Sequence, residues 1–469
     1  MSRTEQDFLG QREIADDIYY GVQTIRGKEN FHITGIPMNQ EPYFVKALGY
    51  VKKAAAMANR DLGAIDAKVA DAIILGCDRV IAGDMMDQFV TDFIQGGAGT
   101  STNMNANEVI ANLALESLGF KKGDYQHVSP NDHVNYGQST NDTYPTAFRL
   151  ALILRLESYM TALRQLQEAF FAKGREFDRV LKMGRTHLQD AVPMSLGAEF
   201  RGWGTTMGEE VDRISEARAL LREINLGATA IGTSVTAAQG YPKLAVRHLS
   251  ALTGVDFILA GDLVEATSDT GAYVQLSGVL KRTASKLTKI CNDIRLLASG
   301  PRAGFNEINL PQLQPGSSIM PGKVNPVIPE VVNQIAFEVI GNDLTVSFAA
   351  EAGQLQLNAF EPIIAHSLFK SVNHLRNGCL TLAERCIDGI TANREHLAGL
   401  VRNSIGIVTA LNPYIGYRNA TDVAQHAHAT GGSVYRIVLE RGLLTQAQLD
   451  HLLRPEALTT PQPLGLALL

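Results

Sequence analysis

From about residue 145 to 390, apolar side chains recur at three- and four-residue intervals, with few prolines and few alternating, strand-like runs. The stretch from Thr146 to Asp178, TAFRLALILRLESYMTALRQLQEAFFAKGREFD, keeps that rhythm without a break. It is too long for an ordinary globular helix. Similar segments follow at Ser195 to Ile224, Asp262 to Ser299, Val327 to Ala350 and Pro362 to Ile390. Helices of that length have to bury an apolar stripe, and side-by-side packing in a bundle is the economical way to do so. The pattern predicts a mainly α protein. Residues 1–140 read as an N-terminal domain of mostly short helices broken by glycines, 141–392 as a central long-helix bundle, and 393–469 as a small C-terminal helical domain containing LNPYIGYRN and SVYRIVLERGLLTQAQLDHLL. The final TTPQPLGLALL reads as a loose tail. Small residues are abundant inside the long helices, as in TSDTGAYVQLSGVLKRTASKL, and let helices approach closely; packing of bundles from separate subunits is the expectation.

Composition narrows the classes. The chain has 469 residues, 45% of them hydrophobic and 19% charged, with a formal net charge of −6. That suits a large folded protein, and no basic footprint for nucleic acid is present. The N-terminal MSRTEQDFLGQREIADD has no apolar signal core and no long uncharged apolar run follows, so no membrane association and a cytoplasmic location are expected. Cys77, Cys291, Cys379 and Cys386 form no CxxC and no zinc spacing, and read as buried thiols. His426 and His428 stand two apart, which points them to different sides of a helix, so no metal site is read there.

The chemistry concentrates in polar loops ahead of helices. GGAGTSTNMNANEV brings Thr100, Ser101 and Asn103 to one helix start; NYGQSTNDTYPTAF brings Ser139, Thr140 and Asn141 to another, with Pro145 expected in its first turn. MGRTHLQDAVPM offers Thr186 and His187, with Glu330 a candidate to orient the imidazole. GSSIMPGKVNP supplies Ser317, Ser318, Lys323 and Asn325. The last is neither a phosphate loop, because five residues separate Gly316 from Gly322 and Val324 follows the lysine, nor a nucleophile elbow. Ser, Thr and Asn are ordinary helix caps, and any one loop can be explained that way. Four such loops and a lysine can together hold a small dianion, since a helix start offers free N–H groups and the positive end of the dipole.

At these loops the chain resembles the fumarase and aspartase superfamily, whose signature is similar to GSSIMPGKVNP. The resemblance extends through YYGVQT, PNDHVN, QSTNDTYPT, GRTHLQDAVPM, CNDIRLLASGPRAGFNEINLP and VIGND. STND, INLGATAIGT, EVVNQIAFEVIGND and EAGQLQLN place the resemblance with the aspartase branch, whereas GTSVTAAQGYP lacks the GLNT usual after its first GT. His187 does not separate the branches.

The resemblance implies a three-domain fold whose central helices form a multi-helix core in a homotetramer, with each active site shared by three subunits. It implies a carbon–nitrogen lyase that reversibly deaminates L-aspartate to fumarate and ammonia, with no required cofactor and no readable ligand set for an activating divalent cation. Ser317 then matches the general base for the Cβ proton. Thr100, Ser139, Thr140 and Ser318 hold the β-carboxylate, and Lys323 and Asn325 the α-carboxylate. Thr140, Asn141 and His187 lie near the leaving amine, with Ser101, Asn103 and Thr186 in the same binding loops. Fumarate hydratase is the alternative activity, and a catalytically silent structural relative a more distant one.

Overall fold

The computed structural model describes residues 2–459, so the expected loose tail falls, beyond Thr459, outside the described residues. The chain is mainly helical, and the five long apolar patterns become the helices Thr140–Glu176, Leu196–Leu220, Gly271–Leu297, Val327–Glu351 and Glu361–Arg385. By internal contacts the chain divides into two units. One comprises Met1–Thr161, Val211–Ala284 and Ile335–Arg376; the other comprises Ala162–Glu210, Ser285–Gln334 and Asn377–Leu469. Each of the five long helices contributes residues to both.

The third pattern is shorter than its periodicity suggests. A one-turn helix, Glu265–Ser268, stops where Asp269 turns extended (ψ 134°), and the Asp269 carboxylate accepts the N–H of Gly271 at 2.9 Å to start a new helix. An aspartate that can cap competes with continuing the helix. Pro145 likewise departs from expectation: it lies inside the helix that starts at Thr140, not in its first turn. Its missing N–H leaves the carbonyl of Asn141 free, and that carbonyl accepts from Asn225 Nδ2 at 3.1 Å.

In the first unit the helix Pro42–Asp61 packs on Ala67–Ala82 and Tyr241–Thr253. An aromatic core draws on four segments: Phe44 meets Tyr144 at 5.1 Å and Phe369 at 5.6 Å, and Phe148 stacks on Tyr273 at 4.4 Å between ring centres. In the second unit Phe200 contacts Trp203 at 4.8 Å and Phe177 at 5.4 Å, and Val401, Leu411, Val423, Ile437 and Leu449 form the core of the C-terminal helices.

Two antiparallel hairpins, Ser2–Asp7 with Gly10–Ala15 and Leu181–Thr186 with Gln189–Ser195, are not foreshadowed by the helical rhythm. Their strands are only six or seven residues long, too short to establish a period of their own. All four cysteines are buried and free, as the sequence suggests. Among the described residues no helix is long and apolar enough to cross a membrane.

Candidate active site

Thr100, Ser101 and Asn103 stand in the first turn of the helix Thr100–Ser117 rather than ahead of it, as do Thr140 and Asn141 in theirs. Gly99 opens the former at φ 94°, and a Cβ there would lie 2.2 Å from the ring of Tyr144, so only glycine fits. The Thr100 hydroxyl donates to the Gly97 carbonyl at 2.7 Å. Ser101 packs closely on Gly27.

Asn103 is fully buried, and its Nδ2 donates to Thr140 Oγ1 and to Asn135 Oδ1, both at 3.2 Å. The bond from Asn103 directs a lone pair of Thr140 towards it, so the threonine's own O–H is oriented to donate elsewhere. Ser139 and Asp142 cap the same helix reciprocally. Ser139 Oγ accepts the N–H of Asn141 at 3.2 Å, and Asp142 Oδ1 accepts that of Ser139 at 2.9 Å. The other carboxylate oxygen of Asp142 accepts the N–H groups of Gly227 at 3.0 Å and Thr229 at 2.9 Å, and Asn141 Nδ2 donates to the Ala230 carbonyl at 2.7 Å. The loop 227–230 is thus fastened to the start of the helix.

Beneath this cluster lies Lys52, wholly buried, its ammonium donating to Asn135 Oδ1 at 3.0 Å and Gln138 Oε1 at 2.9 Å. Burial pulls its pKa down to about 7, against the opposing pull of Asp142. Burial pushes Asp142 up to about 6, against its backbone donors and Lys52. Lys52, Asn135, Gln138 and Asp142 are absent from the sequence-derived site. The signal was available for Lys52: in Pro42–Asp61 it falls in helical register with Phe44, Val45, Leu48 and Ala55, on the buried face.

Thr186 and His187 occur at the tip of the hairpin Leu181–Ser195. His187 and Leu188 both have positive φ, 55° and 61°, which gives the two-residue turn a conformation matched to strand twist. Both site residues are exposed there. The hairpin is held at its base by Lys182, which pairs with Glu199 at 2.6 Å and with the buried Glu307 at 3.0 Å, and by an Arg185–Glu307 ion pair. Glu330, expected as an orienting partner for His187, has its carboxylate 3.9 Å from Arg295.

The loop 312–324 lines an open cavity of about 500 Å³, with Ser317 and Lys323 in its wall. Ser317 Oγ accepts two backbone N–H groups, from Ile319 at 3.2 Å and Met320 at 3.0 Å. Two amides aimed at one oxygen favour its anionic form. The loop is closed by Gly316 N–H to the Lys323 carbonyl at 2.7 Å and by Asn325 Nδ2 to the Gly316 carbonyl at 2.7 Å. A Cβ on Gly316 would lie 2.8 Å from Asn325 N, and Gly322 has φ 78°. Asn325 keeps a second amide hydrogen, and Lys323 and Ser318 are exposed. Ile319 is 83% exposed, so the loop holds a large apolar side chain in water. Among the described residues no group of three or more His, Cys, Asp or Glu side chains is placed to hold a metal ion.

Residues 10–341 match the family described as "Lyase", and residues 407–460 match "Fumarase C C-terminus". The aspartate ammonia-lyase of Pseudomonas aeruginosa is 58% identical over 98% of both chains. That of Escherichia coli is 57% identical over 98% of this chain and 96% of its own. Among solved structures, a fumarate lyase:delta crystallin from Brucella melitensis bound to cobalt superposes with a TM-score of 0.96 at 53% identity, covering 98% of this chain and 100% of that one. A class II fumarase from Schistosoma mansoni reaches 0.92 at 35% identity over 98% and 100%. Family match, identity and backbone agree over nearly the whole length, and the chain belongs to the lyases of the fumarase and aspartase superfamily, in its aspartate ammonia-lyase branch.

Proposed function

We propose that this chain is a carbon–nitrogen lyase that interconverts L-aspartate with fumarate and ammonia, with Ser317 as the general base. The observation that carries this reading is the pair of amides on Ser317 Oγ beside Lys323 in one cavity. A serine hydroxyl is a poor base at neutral pH unless its oxyanion is stabilised, and these two donors act in that direction.

Elimination starts with loss of a proton from the carbon next to an ionised carboxylate, which puts two negative charges on one carboxyl group. Donors fixed where that charge develops lower the barrier most. Thr140, its hydroxyl oriented by Asn103, supplies such a donor together with Ser139, Thr100 and Ser318. Lys323 and the second amide hydrogen of Asn325 meet the α-carboxylate. The amine leaves beside Thr140, Asn141 and His187 once the Cβ–H bond has broken, its bonding pair departing as the Cα–Cβ double bond forms, with no covalent enzyme intermediate.

The assembly that completes the site is a homotetramer with each site shared by three subunits. Phe337, Ile340, Leu344 and Phe348 support it. They lie three and four residues apart along Val327–Glu351 and are 62%, 37%, 57% and 62% exposed, an apolar stripe that a second copy would cover.

Fumarate formation followed by its ultraviolet absorbance, once with L-aspartate and once with L-malate, tests the reading. Turnover of aspartate alone is the expected result; turnover of malate alone overturns it.

A further inference from the structure

A second cavity, of about 540 Å³, lies in the second unit, and its lining includes none of the site residues assigned above. Its apolar floor is Leu181, Val401, Ile407 and Leu453, continuous with the core of the C-terminal helices. Its rim carries Arg402, at the end of Arg394–Asn403, and Arg436, in Val434–Glu440. The chain has a net charge of −6, yet none of the described residues lining this cavity is acidic. Arg402 and Arg436 make no ion pair or hydrogen bond among the described residues. The Asp450 carboxylate accepts the Tyr435 hydroxyl at 2.6 Å.

Two guanidiniums without a partner among the described residues, over an apolar floor, call for a ligand with both characters. A guanidinium offers a planar fork of donors that matches a carboxylate, and an alkyl or aryl body displaces water from leucine, valine and isoleucine. We infer that this cavity binds a small organic carboxylate with an apolar body, its head group on Arg402 and Arg436. Its place is at the Leu181 end of the strand that terminates at Thr186, so the ligand sits at the root of the hairpin carrying His187.

Calorimetric titration of the full-length protein with sodium octanoate, 1-octanol and inorganic phosphate tests this without using the enzyme's activity. Octanoate is expected to bind in the submillimolar range, with the other two weaker by about tenfold or more, because each lacks one half of the recognition. The double variant Arg402→Gln/Arg436→Gln should lose about tenfold or more in octanoate affinity. Ala398→Phe, which fills the half-buried wall of the cavity, should abolish binding while leaving both arginines in place. Circular dichroism confirms that each variant is folded. Octanol binding as tightly as octanoate, phosphate binding as tightly, no detectable octanoate binding, or wild-type affinity in either folded variant each overturns the inference.

Discussion

The Thr140 cluster and the Ser317 loop both present hydroxyls for one proposed reaction, yet the first is buried under a hydrogen-bond network and the second is a Gly- and Pro-punctuated loop in solvent. Around Thr140 each donor has a fixed partner: Asn103 on its oxygen, Asn135 and Gln138 on Lys52, three backbone amides on Asp142. Around Ser317 the contacts stay within one loop, and Ile319 remains exposed. The contrast suits two tasks. Donors that stabilise developing charge work best when they need no reorganisation, whereas a base and a clamp have to admit substrate before closing on it.

Substitutions can break that comparison, and the largest effect belongs to the loop. Ser317→Ala should reduce kcat by more than the ~10²–10³ of a lost oxyanion donor while aspartate still binds; a variant that keeps most of its turnover would sink the base assignment. Thr140→Ala should cost kcat about 10²–10³-fold, and Asn103→Ala less, because Asn103 acts only through the orientation of Thr140. Equal losses in the two variants would mean that Asn103 touches substrate itself. Lys323→Ala should act mainly on KM, raising it by about tenfold or more as the α-carboxylate loses its cation, and an unchanged KM refutes that role.

The remaining effect is on stability rather than on turnover. The folded-state pKa of Lys52 lies below its ordinary value, falling from 10.5 to about 7. The unfolded chain therefore binds the extra proton between those values. Stability rises with pH across this window, by up to about 1.4 kcal/mol per pH unit from this group, and is lost as pH falls towards 7. Asp142 and Cys77 are the charged or titratable groups that oppose the shift. Lys52→Met should flatten that part of the profile in urea denaturation at stepped pH, and an unaltered slope would show that Lys52 is not the group responsible.

Much of the fold could be read from periodicity, because a buried stripe repeated over many turns leaves few alternatives to a long helix. The break at Asp269 could not, since a capping aspartate and a mid-helix aspartate look alike until the chain direction is known. The hairpins were hidden for a related reason: their residues pair across strands, and six or seven residues are too few to set a period. Within the site, the hydroxyls and the lysine of the loops were visible as residue types. The orienting layer was less so, because Asn135, Gln138 and Asp142 gain their meaning only from the atoms they reach.

The sequence by itself determined the five long helices, the polar helix starts and the reduced cysteines, all of which follow from local spacing and residue chemistry. Tertiary structure alone decided that Asn103 serves Thr140, that Asp142 ties Ser139 to the 227–230 loop, and that a lysine in an apolar helix lies beneath them. Local preferences act through neighbours in the chain, whereas these contacts join residues tens of positions apart, and only the packing of the elements that carry them brings their atoms within hydrogen-bond reach.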